Sequence, residues 1–536
     1  MKSEATARKG FAVLSVAGIL NKLLSVIYVP VLFQIIGELG YGIYSAGYKI
    51  YAFIYILTNA GFPIGIAKLE AEFLARKNYR DAKRSFRLVL LLLAIYGFVM
   101  SVLTVVFARP ITQAIHNENS YLVILALSPT VFFSAISSSF RGFFNGRNDM
   151  TPTAVSQIIE QFINVLLSLA FAAILRPYGV VYACAGATVG TTIGSLGSAL
   201  YLWHQFRKKS PGFGDDAPSD IAPLSNRQII SRFLSYAIPI AINSIIIFGT
   251  DLVDLANTSS RLVAAGLSAD AATIQFGVLN KYSSILSVPI AVTSALYVAM
   301  MPSFSAAIEL RDNNRLKASV DEAFRLSLLI SIPSAVGLSV LSKPVFSLFF
   351  PSAIEGWKLM AVGSIVVVLY SIVQIQAGIL QALNKTKYST LSLLVGVAAK
   401  IAVNYWLIAV PSINIMGAVI GTIVYYIVAL LINLVFLRRF LPVKTNVTRQ
   451  AGRPLAGSLI MGAVVYLVYR GIYYLFALFM GHFLSNALAT AIAIVAGVLA
   501  YAAFIIKTKG ISAEEIAEMP YGKKITVVLK KIRLLP

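Results

Sequence analysis

The sequence predicts an all-helical membrane protein: fourteen transmembrane helices, two like-oriented six-helix lobes plus two extra C-terminal helices, and both termini in the cytoplasm. Three observations predict it: a composition too apolar for a soluble chain, a run of apolar stretches of spanning length, and basic residues confined to alternate loops. Of 536 residues, 58% are hydrophobic and only 12% charged. Soluble domains carry roughly 25% charged residues. Mean hydropathy is +0.79. These values exclude an ordinary soluble enzyme and a disordered chain. The lone Cys184 excludes a disulfide framework and a cysteine-based zinc site. His116, His204 and His482 stand at no metal-ligand spacing.

A spanning helix needs about 20 mostly apolar residues. Such stretches lie at about 11–36, 44–67, 86–108, 119–140, 153–175, 179–203, 233–257, 274–302, 324–350, 357–383, 388–410, 414–437, 455–479 and 483–506. The corresponding domains are an N-lobe at 1–210, a cytoplasmic linker at 211–230, a C-lobe at 231–442, spans 13 and 14 within 443–507, and a cytoplasmic amphipathic tail at 508–536.

The net charge of +23 resembles a nucleic-acid signal until it is mapped. With the N-terminus inside, 35 of the 45 basic residues fall in the termini and even-numbered loops. Six fall on the other side (Arg109, Arg176, Arg261, Lys343, Lys358, Arg470), and four fall inside spans (Lys22, Lys49, Lys281, Lys400). That asymmetry is the positive-inside rule. It accounts for the charge without nucleic acid; basic loops beside a bilayer meet anionic lipid. The N-terminal apolar run is too long for a signal peptide and ends in no small-residue cleavage site, so it is read as a retained first span. In the tail, Ser512 and Glu515 have capping-box spacing, and KKITVVLKKIRLL reads as a basic amphipathic stretch on the inner membrane face.

The two halves repeat. Ser85-Phe86-Arg87-Leu88 matches Ala323-Phe324-Arg325-Leu326, Arg109-Pro110 matches Lys343-Pro344, and Gly142-x-x-Asn145-x-x-Asn148 matches Gly378-x-x-Gln381-x-x-Asn384. Lys49 pairs with Lys281, and Asn21 with Asn243. Six spans per copy gives two copies of the same orientation, the arrangement in which transporters place a site near the midplane. Spans 13 and 14 fall outside the repeat and read equally as an accessory groove or as rim packing.

Seven charges fall inside spans: Lys22, Lys49, Glu160, Asp251, Asp254, Lys281 and Lys400. Each costs roughly 2.5–3.5 kcal/mol at mid-bilayer, so they should line a hydrated cavity or pair with one another. Asn21, Lys22, Ser25 and Tyr28 form one stripe of span 1. Gln157, Gln161, Asn164 and Ser168 form one in span 5, with Glu160 adjacent. Asn243, Thr250, Asp251, Asp254 and Thr258 share a side of span 7, and Lys400 and Asn404 stand four apart in span 11. Such stripes either line a cavity or hold helices together through hydrogen bonds. Asp251, Asp254 and Lys400 read as ion-coupling groups or as a structural ion pair. A cavity rich in lysine suits an anion, and Lys binds phosphate as a point charge. Pro30, Pro63, Pro239, Pro289, Pro302 and Pro333 offer hinges. There is no nucleophile elbow, no Walker A motif and no histidine cluster, so neither an enzyme nor an ATP-driven pump is expected.

Segment 37–72, GELGYGIYSAGYKIYAFIYILTNAGFPIGIAKLEAE, resembles the span-2 region of polysaccharide-export flippases. Segment 141–161, RGFFNGRNDMTPTAVSQIIEQ, is similar to the loop-4/span-5 signature of the lipid II flippase and SpoVB-like branch of the multidrug/oligosaccharidyl-lipid/polysaccharide (MOP) exporter superfamily, and the tail GISAEEIAEMPYGKKI looks like that branch too. The resemblance covers essentially the whole chain. It implies two six-helix lobes in a V, a bacterial cytoplasmic-membrane location, and outward flipping of an undecaprenyl-pyrophosphate-linked peptidoglycan precursor, vegetative or sporulation-linked. It implies a cationic cavity helped by Lys22, with Lys49 and Lys281 where the family also carries basic residues. Some members pair a span-7 Asp with an acid and an amide on span 11 around sodium; here span 11 carries Lys400, which would occupy the cation position against Asp251 or Asp254.

The expected substrate-binding set is therefore Lys22, Lys49, Lys281, Asn21, Tyr28, Gln157, Glu160 and Gln161, with Asp251, Asp254, Lys400 and Asn404 as ion-coupling or ion-pair residues. No cofactor or resident metal is expected, with sodium at Asp251/Asp254 or proton coupling left open. The expected partners are a lipid-linked oligosaccharide pyrophosphate and membrane lipids, no nucleic acid is expected to bind, and the chain is expected to be a monomer. Rival readings are a flippase for a teichoic-acid or capsule unit, an ion-coupled exporter of cationic drugs on the same fold, and a scaffold for cell-wall or spore-coat assembly.

Overall fold

The computed structural model describes residues 2–209, 224–443, 447–508 and 510. Among these residues the secondary structure is helical, without a strand. The longer helices are α1 (Lys2–Asn59), α2 (Phe62–Ala75), α3 (Tyr79–Ala114), α4 (Tyr121–Gly146), α5 (Thr151–Leu175), α6 (Val180–Lys209), α7 (Asn226–Ala264) and α8 (Ala269–Glu309). They continue as α9 (Asn313–Val340), α10 (Ser342–Phe349), α11 (Trp357–Gly363), α12 (Ile365–Ala382), α13 (Thr386–Leu407), α14 (Met416–Phe440), α15 (Val447–Ala477) and α16 (His482–Lys507). Thirteen helical stretches among the described residues are long and apolar enough to cross a membrane. The amphipathic tail expected after residue 510 lies outside the described residues.

Expected spans 1 and 2 are joined differently from the sequence reading. No loop separates them: two helical segments, together labelled α1, abut at Gly37, whose φ of 72° and ψ of −172° suit a residue without Cβ. The interruption comes later, where α1 ends at Asn59 and α2 begins at Phe62. Pro63 sits in the first turn of α2, where its missing N–H costs nothing, so this proline starts a helix rather than bending one. Pro30, Pro239, Pro289, Pro302 and Pro333 do lie inside helices. Expected span 9 is split at Leu341 into α9 and α10, and span 10 at Ser364 into α11 and α12.

The chain divides into two compact units, Met1–Asn280 with Ile408–Asn414, and Lys281–Leu407 with Ile415–Pro536. In the first unit, Gly186, Gly190 and Gly194 recur every four residues on α6 and bring its backbone against α5 at Phe171, Ser168 and Glu160. Small residues at this spacing let membrane helices approach closely where no hydrophobic effect drives them together. The apolar core of this unit joins α2, α3, α4 and α7 through Ile66, Phe73, Phe86, Phe144 and Phe233. In the second unit, Phe304, Leu316, Val320, Ile379 and Leu380 build a corresponding core from α8, α9 and α12. There, α15 and α16 pack beside α9 and α10: Tyr501 Oη donates to Leu329 O at 3.0 Å, and Asn486 Nδ2 to Pro344 O at 3.0 Å.

Backbone geometry repeats between the units. Lys77 (φ 55°) and Arg311 (φ 52°) both follow a helix end in the left-handed region, as do Asn148 (φ 60°) and Asn384 (φ 57°). The closing hydrogen bonds match: Asn78 N to Phe73 O and Asp312 N to Ala307 O, Asp149 N to Phe144 O and Lys385 N to Leu380 O. These are the six-residue closures of a Schellman-type helix end. Asn78 and Asp312 then cap α3 and α9 with side-chain oxygens.

Candidate functional site

Lys49 lies on the second segment of α1. Its ammonium meets Asp251 Oδ1 of α7 at 2.8 Å, with 23% and 35% of the two side chains exposed. Asp251 was expected beside Lys400; within the first unit its partner is Lys49. The Phe248 ring centroid is 5.9 Å from the same ammonium. Asp254 follows one turn later on α7 and is half-buried.

The stripes of spans 1 and 5 meet. Ser25 Oγ donates to Asn21 O at 2.8 Å and accepts from Gln161 Nε2 at 3.3 Å. Gln157 lies one turn before Gln161 and is half-buried. Tyr28 is buried, and its hydroxyl donates to Tyr44 Oη at 3.4 Å. Asn164 Oδ1 accepts from Ser168 and Thr191, each at 2.9 Å. Glu160 is held by Arg141, whose guanidinium reaches Glu160 Oε2 at 2.6 Å, Ser198 Oγ at 2.9 Å and Ser156 Oγ at 3.1 Å. A planar fork bonded to three groups from α5 and α6 is a rigid arrangement.

The remaining expected residues lie in the second unit. Lys281 is 1% exposed, its ammonium 5.4 Å from the Phe350 ring centroid. Lys400 is 1% exposed and Asn404 fully buried. Gly421 of α14 makes room for them; a Cβ there would strike Asn404 Oδ1. The side chains of Lys22 and Asn243 lie outside the described residues. The second unit also holds an apolar cavity of about 320 Å³ between α9, α12 and α15, lined by Leu328, Ile332, Val336, Ile365, Val368 and Leu455 among others.

Three features escaped the sequence reading. Arg141 was assigned to a loop, but α4 continues to Gly146 and carries it inside the helix. Glu70 and Arg147, from the two segments that carry the family resemblance, form an ion pair at 2.5 Å with Glu70 only 1% exposed. Tyr41, Tyr44, Tyr48, Tyr51 and Tyr55 line one face of α1, consecutive ring centroids 5.6–6.3 Å apart; their alternating spacing of three and four was visible in the sequence. Among the described residues, no three His, Cys, Asp or Glu side chains gather as metal ligands would. Asp251 faces the Lys49 ammonium, which takes the place against that carboxylate expected for Lys400.

The polysaccharide biosynthesis protein family matches residues 7–308, more than half of the chain. The chain belongs to that family. Family relatives in Bacillus subtilis (strain 168) include stage V sporulation protein B, 28% identical over 83% of this chain and 86% of its own length. The lipid II flippase MurJ of the same organism is 25% identical over 80% of this chain and 82% of its own. Among solved structures, lipid II flippase MurJ in an inward closed conformation superposes with a TM-score of 0.64 at 17% identity, covering 92% of this chain and 97% of that one. This family member therefore has the fold of MOP-superfamily transporters and is a multi-pass protein of the cytoplasmic membrane.

Proposed function

We propose that the protein flips an undecaprenyl-pyrophosphate-linked peptidoglycan precursor, lipid II, from the inner to the outer leaflet by alternating access, driven by membrane potential and/or an ion gradient. The observation that carries this reading is Lys49, a cation within an apolar helix with 23% of its side chain open. Likeness to MurJ over four-fifths of the chain supports it. The ammonium binds a pyrophosphate oxygen as a point charge, without a fixed approach angle, which suits a carrier that must also release. Arg141 on Glu160 and Gln161 on Ser25 make a second polar cluster in the same unit. Carrying two negative charges out of a negative interior yields roughly 4–5 kcal/mol per 100 mV. The same field draws the emptied site inward if that site is net positive.

A cationic-drug exporter is disfavoured because two of its expected coupling acids, Glu160 and Asp251, each face a basic side chain. Dye efflux from vesicles, with and without Asp251→Asn, tests that rival. The main experiment is an outer-leaflet accessibility assay for the precursor after rapid depletion of this protein. Precursor should accumulate inside, and the glycan that accumulates separates lipid II from a teichoic-acid or capsule unit. Lys22→Ala and Lys281→Ala should abolish complementation of a flippase-depleted strain at normal expression. Full complementation by both removes the cationic-cavity reading.

A further inference from the structure

The contacts joining α1 and α2 to α7 form one antiparallel seam. Lys49 meets Asp251. Farther along, a Cβ on Gly61 would strike the Ala237 carbonyl, and Gly65 abuts Ala237 and Phe233. The Phe62 and Phe233 ring centroids are 5.9 Å apart. Lys68 lies 4.1 Å over the Tyr236 ring, and Glu72 accepts from Arg232 at 2.9 Å and Tyr236 at 3.1 Å. As the first residue number climbs from 49 to 72, the second falls from 251 to 232. At about 1.5 Å per residue this seam runs close to 30 Å, the thickness of the hydrocarbon core.

The two ends are fastened differently. At the basic-loop end, Glu72 is held by Arg232, Tyr236 and Arg76 (3.2 Å), beside glycines with no spare room. At the far end, the Lys49 ammonium meets the Asp251 carboxylate and the Phe248 ring, and the Lys49 and Asp251 side chains are both partly open. A Lys ammonium is a point charge without a fixed fork geometry, so it can exchange one anion for another.

We propose that Lys49–Asp251 is an anion-operated clasp: a diphosphate that takes Lys49 displaces Asp251 and frees α7 at that end, while the Glu72–Arg232–Tyr236 end holds. The displaced carboxylate then stands beside a like charge, which drives α7 away from α1. The clasp rests on the pyrophosphate reading of the cargo and adds how the cargo moves a helix.

The test uses the full chain in proteoliposomes, with Cys184 replaced by Ala. Reporter thiols are Phe248→Cys and Leu252→Cys at the clasp end, and Phe233→Cys at the held end. Maleimide labelling is read with inorganic pyrophosphate and with sodium sulfate at matched ionic strength. Pyrophosphate should raise labelling at either clasp-end reporter at least about threefold and leave position 233 unchanged. Asp251→Asn should raise labelling without pyrophosphate. Lys49→Gln should abolish the pyrophosphate response, and the charge swap Lys49→Asp/Asp251→Lys should restore protection in the absence of pyrophosphate. An equal response to sulfate, or none to pyrophosphate in a preparation that flips precursor, overturns the clasp and leaves the transport reading standing. Failure of the unsubstituted protein to flip precursor overturns the transport reading itself.

Discussion

The two repeats use the same backbone at one place and opposite chemistry to hold it. In the first, Glu70 of α2 and Arg147 at the end of α4 form a buried ion pair. The matching positions of the second, 234 and 236 residues later, are Phe304 and Leu383, which pack in the apolar core of α8, α9 and α12. Both places lie beside a helix end closed by a left-handed Asn, Asn148 or Asn384. The geometry is thus not a product of the ion pair, since an apolar pair supports the same turn. A buried ion pair contributes little net stability over well-packed apolar groups of similar volume. The charges in the first repeat are therefore costly to half-remove and cheap to replace together.

That comparison predicts its own largest effect. Arg147→Ala leaves the Glu70 carboxylate buried and unpaired, which should cost about 3–5 kcal/mol. Glu70→Phe with Arg147→Leu, the chemistry of the second repeat, should recover most of the loss. Unfolding of the detergent-solubilised protein measures both; a double variant as unstable as the single one would mean that the two repeats are not interchangeable here.

How much of this could be read from the sequence depends on distance along the chain. The helices, the repeat and the cluster Gly142, Asn145, Asn148 with its counterpart were legible because they rest on local apolar periodicity and short spacings. The Asn21–Ser25–Gln161 contact was foreshadowed by two polar stripes, each within one helix. The partner of Asp251 was not legible: Lys49 lies some two hundred residues away, and no local pattern sets which of the intramembrane lysines it meets. Arg141 was missed because hydropathy falls before the helix ends. α4 runs on to Gly146, where Gly142 and Gly146 press against α2 at Ile66 and Ala67. The loop expected after span 1 shrinks to Gly37, whose non-helical φ and ψ end one helical segment and let the next begin directly.

The matched glycines sharpen the comparison at a smaller scale. A Cβ on Gly142 would crowd the Pro63 carbonyl and Ile66, whereas one on Gly378 would strike the Tyr297 ring. Backbone cannot step aside as a ring can. Gly142→Ala should therefore cost roughly 1–3 kcal/mol through overpacking, and Gly378→Ala less, as Tyr297 swings. Equal losses in an unfolding assay would show that Tyr297 is as fixed as backbone, as its hydroxyl contact with Gln381 at 3.2 Å would then require.

The smallest effect is the most direct measure of repeat equivalence. Asn148 and Asn384 hold φ near 60°, a conformation that Asn tolerates better than other side chains. Asn148→Ala and Asn384→Ala should each lose about 1 kcal/mol, since the left-handed region costs roughly 1–2 kcal/mol for an L-residue without local polar compensation. The two losses should agree closely, because φ and the closing hydrogen bonds agree: Asn148 N to Asn145 O and Asn384 N to Gln381 O, both 3.0 Å. Asn→Gly at either position should be neutral or slightly stabilising. A loss confined to position 148 would tie that asparagine to the Glu70–Arg147 pair beside it, making the turn of the first repeat dependent on its charges after all.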